Sequence, residues 1–145
     1  MQLGLANPAS VQRPQPYEQG LQTNSITPPQ GFLQQNGALV WVPQNLALVN
    51  GANENVILPN GLTFIITGPT AVFSLGGLTG GVSGRYVIIY NGTGFQMTLN
   101  NLDVGSISAN RIATLSGANL IFRASGFNVV TLQYIGGGWN VVSSN

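Results

Sequence analysis

Beyond residue 37 the chain is written in short apolar bursts, each bounded by glycine, asparagine, proline or serine. Within a burst, apolar and polar positions alternate or run together for a few residues, as in half-buried and fully buried strands. Strands are therefore predicted over 39–42, 46–49, 56–58, 63–67, 71–75, 86–90, 96–99, 111–115, 119–123, 129–134 and 140–142. No ten-residue window pairs a helical period with caps, so helix should be nearly absent. Between the bursts stand Asn50-Gly51, Asn60-Gly61, Asn91-Gly92, Ser116-Gly117 and Ser125-Gly126, which supply positive φ or reverse the backbone. Residues 91–94 are expected to form a hairpin turn joining 86–90 to 96–99.

The first 36 residues have another texture. Pro8, Pro14, Pro16, Pro28 and Pro29 are interspersed with glutamines, and the few apolar residues follow neither a helical nor a strand period. Composition alone fits a disordered tail. The isolated Leu3, Leu5, Tyr17, Ile26 and Phe32 favour an extended arm that orders against neighbouring subunits. Two regions follow: residues 1–50 as a Pro/Gln-rich arm, and 51–145 as a β body.

Composition sharpens this picture. Apolar residues make up 43% of the chain, enough for a packed core, but only 5% are charged, against roughly 25% in ordinary soluble proteins. The surface must be wetted by Asn, Gln, Ser, Thr and backbone. With a formal charge of +1, self-repulsion is weak, which suits lasting contact between copies. The start, MQLGLANPASVQRPQ, lacks the basic and apolar regions of a secretory leader, so none is expected. No apolar run approaches the ~20 residues that a membrane helix requires.

Candidate chemistry is sparse. The chain has no His, no Cys and no Lys, which excludes Ser-His-Asp, Cys-His and thiolate-metal constellations within one subunit. The glycine-rich run 76–84 has the spacing of a phosphate loop, but Val82 stands where lysine is required and a β-rich run follows instead of a helix. It reads as a loop or close-packed crossover. A carboxylate pair for sugar hydrolysis would have to come from Glu18, Glu54 and Asp103, which lie in separate segments. Glu54 with Asn53 and Asn55, or Asp103 with Asn100 and Asn101, offers oxygens to calcium, yet neither has the ligand spacing of a calcium loop; Asx turns explain both. No catalytic, metal-binding or cofactor residue is assigned.

Four arginines are too few to neutralise a run of nucleic-acid phosphates. Arg85, Arg111 and Arg123 each flank a predicted strand, where a guanidinium can bridge backbone carbonyls or reach another chain. Tyr86, Tyr90, Phe95, Phe122, Phe127, Tyr134 and Trp139 are expected mostly in the core or an interface. Asn91-Gly92-Thr93 matches a glycosylation sequon but is read as a turn.

From about residue 55 onward, LTGGVSGRYVIIYNGTGFQMTL, then SANRI, then an aliphatic strand followed by Tyr134, glycines and Trp139, resembles small β modules of bacteriophage virions. These are the capsid decoration (cement) proteins and trimeric tail-fibre or tailspike domains. The resemblance implies a non-enzymatic homotrimer with an antiparallel β-sandwich or jelly-roll-like body. It would sit on the capsid surface after assembly in the host cytoplasm, with the major capsid protein as partner and with no cofactor, nucleic acid or membrane. The alternative it leaves is a tail-fibre or tailspike module that binds a receptor or glycan. Interface residues expected in the arm are Leu3, Leu5, Arg13, Tyr17, Ile26 and Phe32; beyond it they are Trp41, Arg85, Arg111 and Arg123.

Overall fold

A computed structural model of the chain describes residues 32–35, 38–124 and 128–145, the first two strands up to residue 40 through their backbone only. Twelve strands are described: β1 (Phe32–Gln35), β2 (Ala38–Trp41), β3 (Gln44–Ala47), β4 (Gly51–Asn53), β5 (Thr63–Thr67), β6 (Phe73–Leu75), β7 (Tyr86–Asn91), β8 (Met97–Leu99), β9 (Ile112–Ala113), β10 (Leu120–Phe122), β11 (Val129–Ile135) and β12 (Gly138–Ser144). The helix among the described residues is one short 3-10 turn, Ser108–Asn110. The all-β reading of the sequence therefore holds.

The strands do not assemble as an antiparallel sandwich or jelly roll. Strands β3, β5 and β7 pair in parallel, and so do β4, β6 and β8, so the chain winds through both sheets in turn. A parallel bridge between Val56 and Leu78 continues the stacking on a third side. Each rung of this solenoid-like coil takes about 20 to 25 residues, within the range of repeat proteins.

The expected hairpin at 91–94 is accordingly a corner. Strands β7 and β8 lie in different sheets, and Asn91 folds the bend by accepting from the Thr93 N–H (3.1 Å) and donating to the Phe95 carbonyl (2.7 Å). Alternation of period two is the same for parallel and antiparallel strands, and asparagine-glycine pairs serve corners as well as hairpins. Two further expectations shift. Residues 56–58 contribute a bridge rather than a strand, and 51–53 form β4 where a turn was predicted.

The last third of the chain reverses direction. Strand β10 pairs antiparallel to β8, β11 antiparallel to β7, and β12 folds back on β11 before meeting β9 in parallel. These strands cover the edges that the third rung would otherwise expose. The result is a six-stranded sheet ordered β3-β5-β7-β11-β12-β9 and a four-stranded sheet ordered β10-β8-β6-β4.

One core fills the coil. In the six-stranded sheet, Leu46, Phe64, Ile66, Val87, Ile89, Val130, Leu132 and Val141 point inward; in the four-stranded sheet, Phe73, Leu75, Met97, Leu99 and Phe122 do so. Because the ladders are in register, inward residues form columns: Phe73 lies beside Met97 and Met97 beside Phe122, while Leu75 lies beside Leu99 and Leu99 beside Leu120. Strand β3 belongs to this packed unit, since Leu46 and Leu48 are buried in the same cluster. Trp139 is fully buried, donates its indole N–H to the Leu78 carbonyl (2.8 Å) and meets the Tyr134 ring edge-on at 5.2 Å. It ties the reversed strands to the third side of the coil.

Rungs approach closely at glycine. Gly68 has φ +105°, and a Cβ placed there would lie 2.4 Å from the Leu48 carbonyl oxygen of the rung before it. Both strain and a backbone clash oppose a side chain. Gly68→Ala is expected to lower stability by about 2 kcal/mol or more, read as a fall in the urea midpoint with an unchanged slope.

Candidate functional site

The sequence-predicted interface residues fall into three groups. Leu3, Leu5, Arg13, Tyr17 and Ile26 lie outside the described residues, and Phe32 is described only by its backbone in β1. Trp41 ends β2 and is exposed. Arg85, Arg111 and Arg123 each make separate contacts on the body.

Arg85 donates from Nη1 to the Gly80 carbonyl (2.7 Å) and from Nη2 to the Pro59 carbonyl. Pro59 belongs to the first rung and Gly80 to the second, so this guanidinium clamps successive turns of the coil. Its partial burial lowers its pKa by desolvation. Arg111 donates from Nε to the Ser106 carbonyl (3.0 Å) and its backbone accepts from the Trp139 N–H. Arg123 is exposed at the end of β10, where its carbonyl accepts from the Asn128 side chain.

The glycine-rich run is a close-packed crossover. Gly76 and Gly77 are buried, Gly77 bridges to Arg111, and Gly81 packs so tightly on the Tyr134 ring that a Cβ would lie 2.0 Å from it. Strand β7 follows the run, where a phosphate loop would open a helix.

Glu54 and Asp103, far apart in sequence, converge on one turn. The Asp103 carboxylate accepts from the Gly105 N–H (3.0 Å) and from Asn100 Nδ2 (2.7 Å), and the Glu54 carboxylate lies over Gly105, 2.1 Å from where a Cβ would sit. Around them Asn55 accepts from the Ile107 N–H (2.8 Å) and from Asn110 Nδ2 (2.9 Å). Among the described residues there is no group of three or more His, Cys, Asp or Glu placed to hold a metal. The turn is an asparagine-laced corner, in which the Asp103 carboxylate is used as an acceptor.

The concavity that stands out is on the outer face of the six-stranded sheet. It encloses about 600 Å³ and is lined by Trp41, Pro43, Thr63, Ile65, Tyr90 and Asn128, with the Asn91–Gly94 corner at one side. Ile65 and Tyr90 are register partners on β5 and β7, so these two strands make the floor, with Asn128 just ahead of β11 beside them. The chain passing from β2 to β3 raises Trp41 and Pro43 at the rim. A Cβ on Gly92 would meet Ile65 Cγ2 at 2.7 Å, so the corner sits against the floor only because it is glycine. The lining carries no Asp, Glu or Arg. Volume and mixture of aromatic, aliphatic and amide groups are those of a binding pocket.

Tyr90 was expected mainly in the core or an interface. The alternation of YVIIY settles its direction: Val87 and Ile89 point inward, so Tyr86, Ile88 and Tyr90 point out. Phe122 and Trp139 are core residues, Phe95 is exposed, and Phe127 lies outside the described residues. Thr63, Ile65 and Asn128 drew no attention in the sequence, because only strand pairing brings them together. No protein-family model, curated protein or solved structure matches the chain.

Asp103 supplies a check on the corner. The Asn100 amide, then the Gly105 N–H, and to a lesser degree the charge of Arg111, hold its carboxyl below the ordinary carboxylate range. A lowered folded-state pKa contributes stability that is present above the unfolded value and lost as pH falls through the folded one. Unfolding midpoints should therefore decline as pH drops below about 4. Asn100→Ala should move the Asp103 titration, followed by carboxyl NMR shifts, upward and flatten that decline.

Proposed function

We propose that the chain is a structural, non-enzymatic protein of a bacteriophage virion, a capsid decoration protein that self-associates as a trimer and binds the outer surface of the shell. The observation that carries the associative part is the open first rung. Among the described residues no strand pairs with the outer edge of β3 or of β4, so two parallel sheets end side by side at the first rung. Natural proteins usually blunt such edges with lysine, proline or inward charge. Here β3 reads QNLA and β4 reads GAN, and neither holds an ionisable side chain.

Exposed aliphatic residues surround that end, with Val49 at 64% and Ile57 at 79% relative exposure. An uncharged edge bordered by apolar side chains suits permanent contact better than life as a free monomer. The virion assignment rests on the sequence resemblance, which falls on the second and third rungs and the reversed strands. Stabilisation of a shell needs only preferential binding to its assembled form, and three linked contacts on one trimer multiply modest affinities. The receptor- or glycan-binding alternative would place its ligand in the Trp41–Tyr90 cavity.

Purified protein should attach saturably to shells lacking it and raise the temperature at which they open. Ala47→Lys with Ala52→Lys puts charge on both open edges at exposed positions. The double variant should keep its far-UV circular dichroism and lie within about 0.5 kcal/mol of the parent stability, while losing its oligomer in sedimentation velocity. A parent protein that sediments as a monomer and leaves shells unchanged refutes the proposal.

A further inference from the structure

The Trp41–Tyr90 cavity is matched by a segment of the same chain. Its lining is aromatic and aliphatic, with Pro43 at the rim and amides at the side, and it presents no carboxylate or guanidinium to attract a charged ligand. Aromatic-lined grooves of this kind take proline-rich segments, because a polyproline conformation is already extended and loses little entropy on docking.

Strands β1 and β2 are antiparallel with Phe32 opposite Trp41. The Phe32 backbone is therefore held beside the tryptophan that lines the cavity, and residues 26–31 directly precede it in the sequence. They read Ile26-Thr27-Pro28-Pro29-Gln30-Gly31. Pro29 precedes Phe32 by three residues, a reach of about 10 Å in extended chain. A tether this short gives an effective concentration in the millimolar range, so even a weak contact is populated.

We propose that the segment from Ile26 to Pro29 of this chain docks in the cavity of its own subunit, with Pro28 and Pro29 against Trp41 and Tyr90. Docking fixes where the arm leaves the body, and so in which direction residues 1–25 run. The proposal stands independently of shell binding, since it concerns contacts within one subunit.

Tryptophan fluorescence tests it in the full-length protein. The chain has two tryptophans, and Trp139 is fully buried, so acrylamide separates a shielded fraction from the Trp41 signal. In the parent protein Trp41 should be protected. In Pro28→Ser with Pro29→Ser, its quenching constant should rise about twofold or more as the bound population is lost, with a red shift in emission. Tyr90→Ala should do the same from the other side of the contact. Pro14→Ser with Pro16→Ser should leave quenching unchanged, and the constant Trp139 fraction reports that the body stays folded.

Equal quenching in the parent and the Pro28/Pro29 variant overturns the proposal. Protection that disappears on dilution would assign the cavity to a second copy and also overturns it. So does protection of Trp41 in the parent protein by added neutral oligosaccharides, which would show the cavity open to a glycan.

Discussion

The fold depends on vertical register between parallel rungs. Each inward side chain must sit on an equivalent one in the next rung, about 4.8 Å away, and the columns from Phe73 through Met97 to Phe122 and from Leu75 through Leu99 to Leu120 satisfy this with side chains of compatible size. A slip of one residue would turn every such column to solvent. The same spacing constrains the outside, where like charges stacked on successive rungs would repel at close range. A surface of threonine, serine, asparagine and glutamine avoids that repulsion, which gives a structural reason for the scarcity of ionisable groups.

Polar side chains are used to hold corners. Asn53 occupies the column position that Leu75 fills in the next rung, and it is buried because its amide bonds both backbone groups of Val49 and the carbonyls of Gly51 and Ser74. Asn50 accepts from the N–H groups of Thr70 and Ala71, and Asn101 from that of Thr114. Arg85 does the same work with charge, replacing water around its guanidinium by carbonyls of two rungs. These contacts satisfy the backbone where the chain leaves a sheet, and no buried side-chain polar atom among the described residues lacks a partner.

The two ends of the coil differ. At the third rung, β10 and β11 reverse and pair antiparallel, so that β10 and, beyond β11 and β12, β9 are the last strands of their sheets. At the first rung the edges of β3 and β4 stay open among the described residues. The cavity on the broad sheet lies beside the passage from β2 to β3.

The strand segments, the near absence of helix, the corner asparagines and the lack of His, Cys and Lys were legible in the amino-acid sequence, because they follow from local alternation, turn chemistry and composition. The arginines flanking strands were likewise legible as partners for backbone carbonyls, and Arg85 and Arg111 take that place. Sequence could not distinguish a coil from a sandwich, since period two reports which face is buried and is silent on which strand lies alongside. Only the tertiary structure decided that 86–91 and 97–99 belong to different sheets, that Glu54 and Asp103 share one turn, and that Trp41, Ile65, Tyr90 and Asn128 enclose a common space. Those neighbours are set by register across rungs, a relation between residues some two dozen positions or more apart that no local pattern encodes.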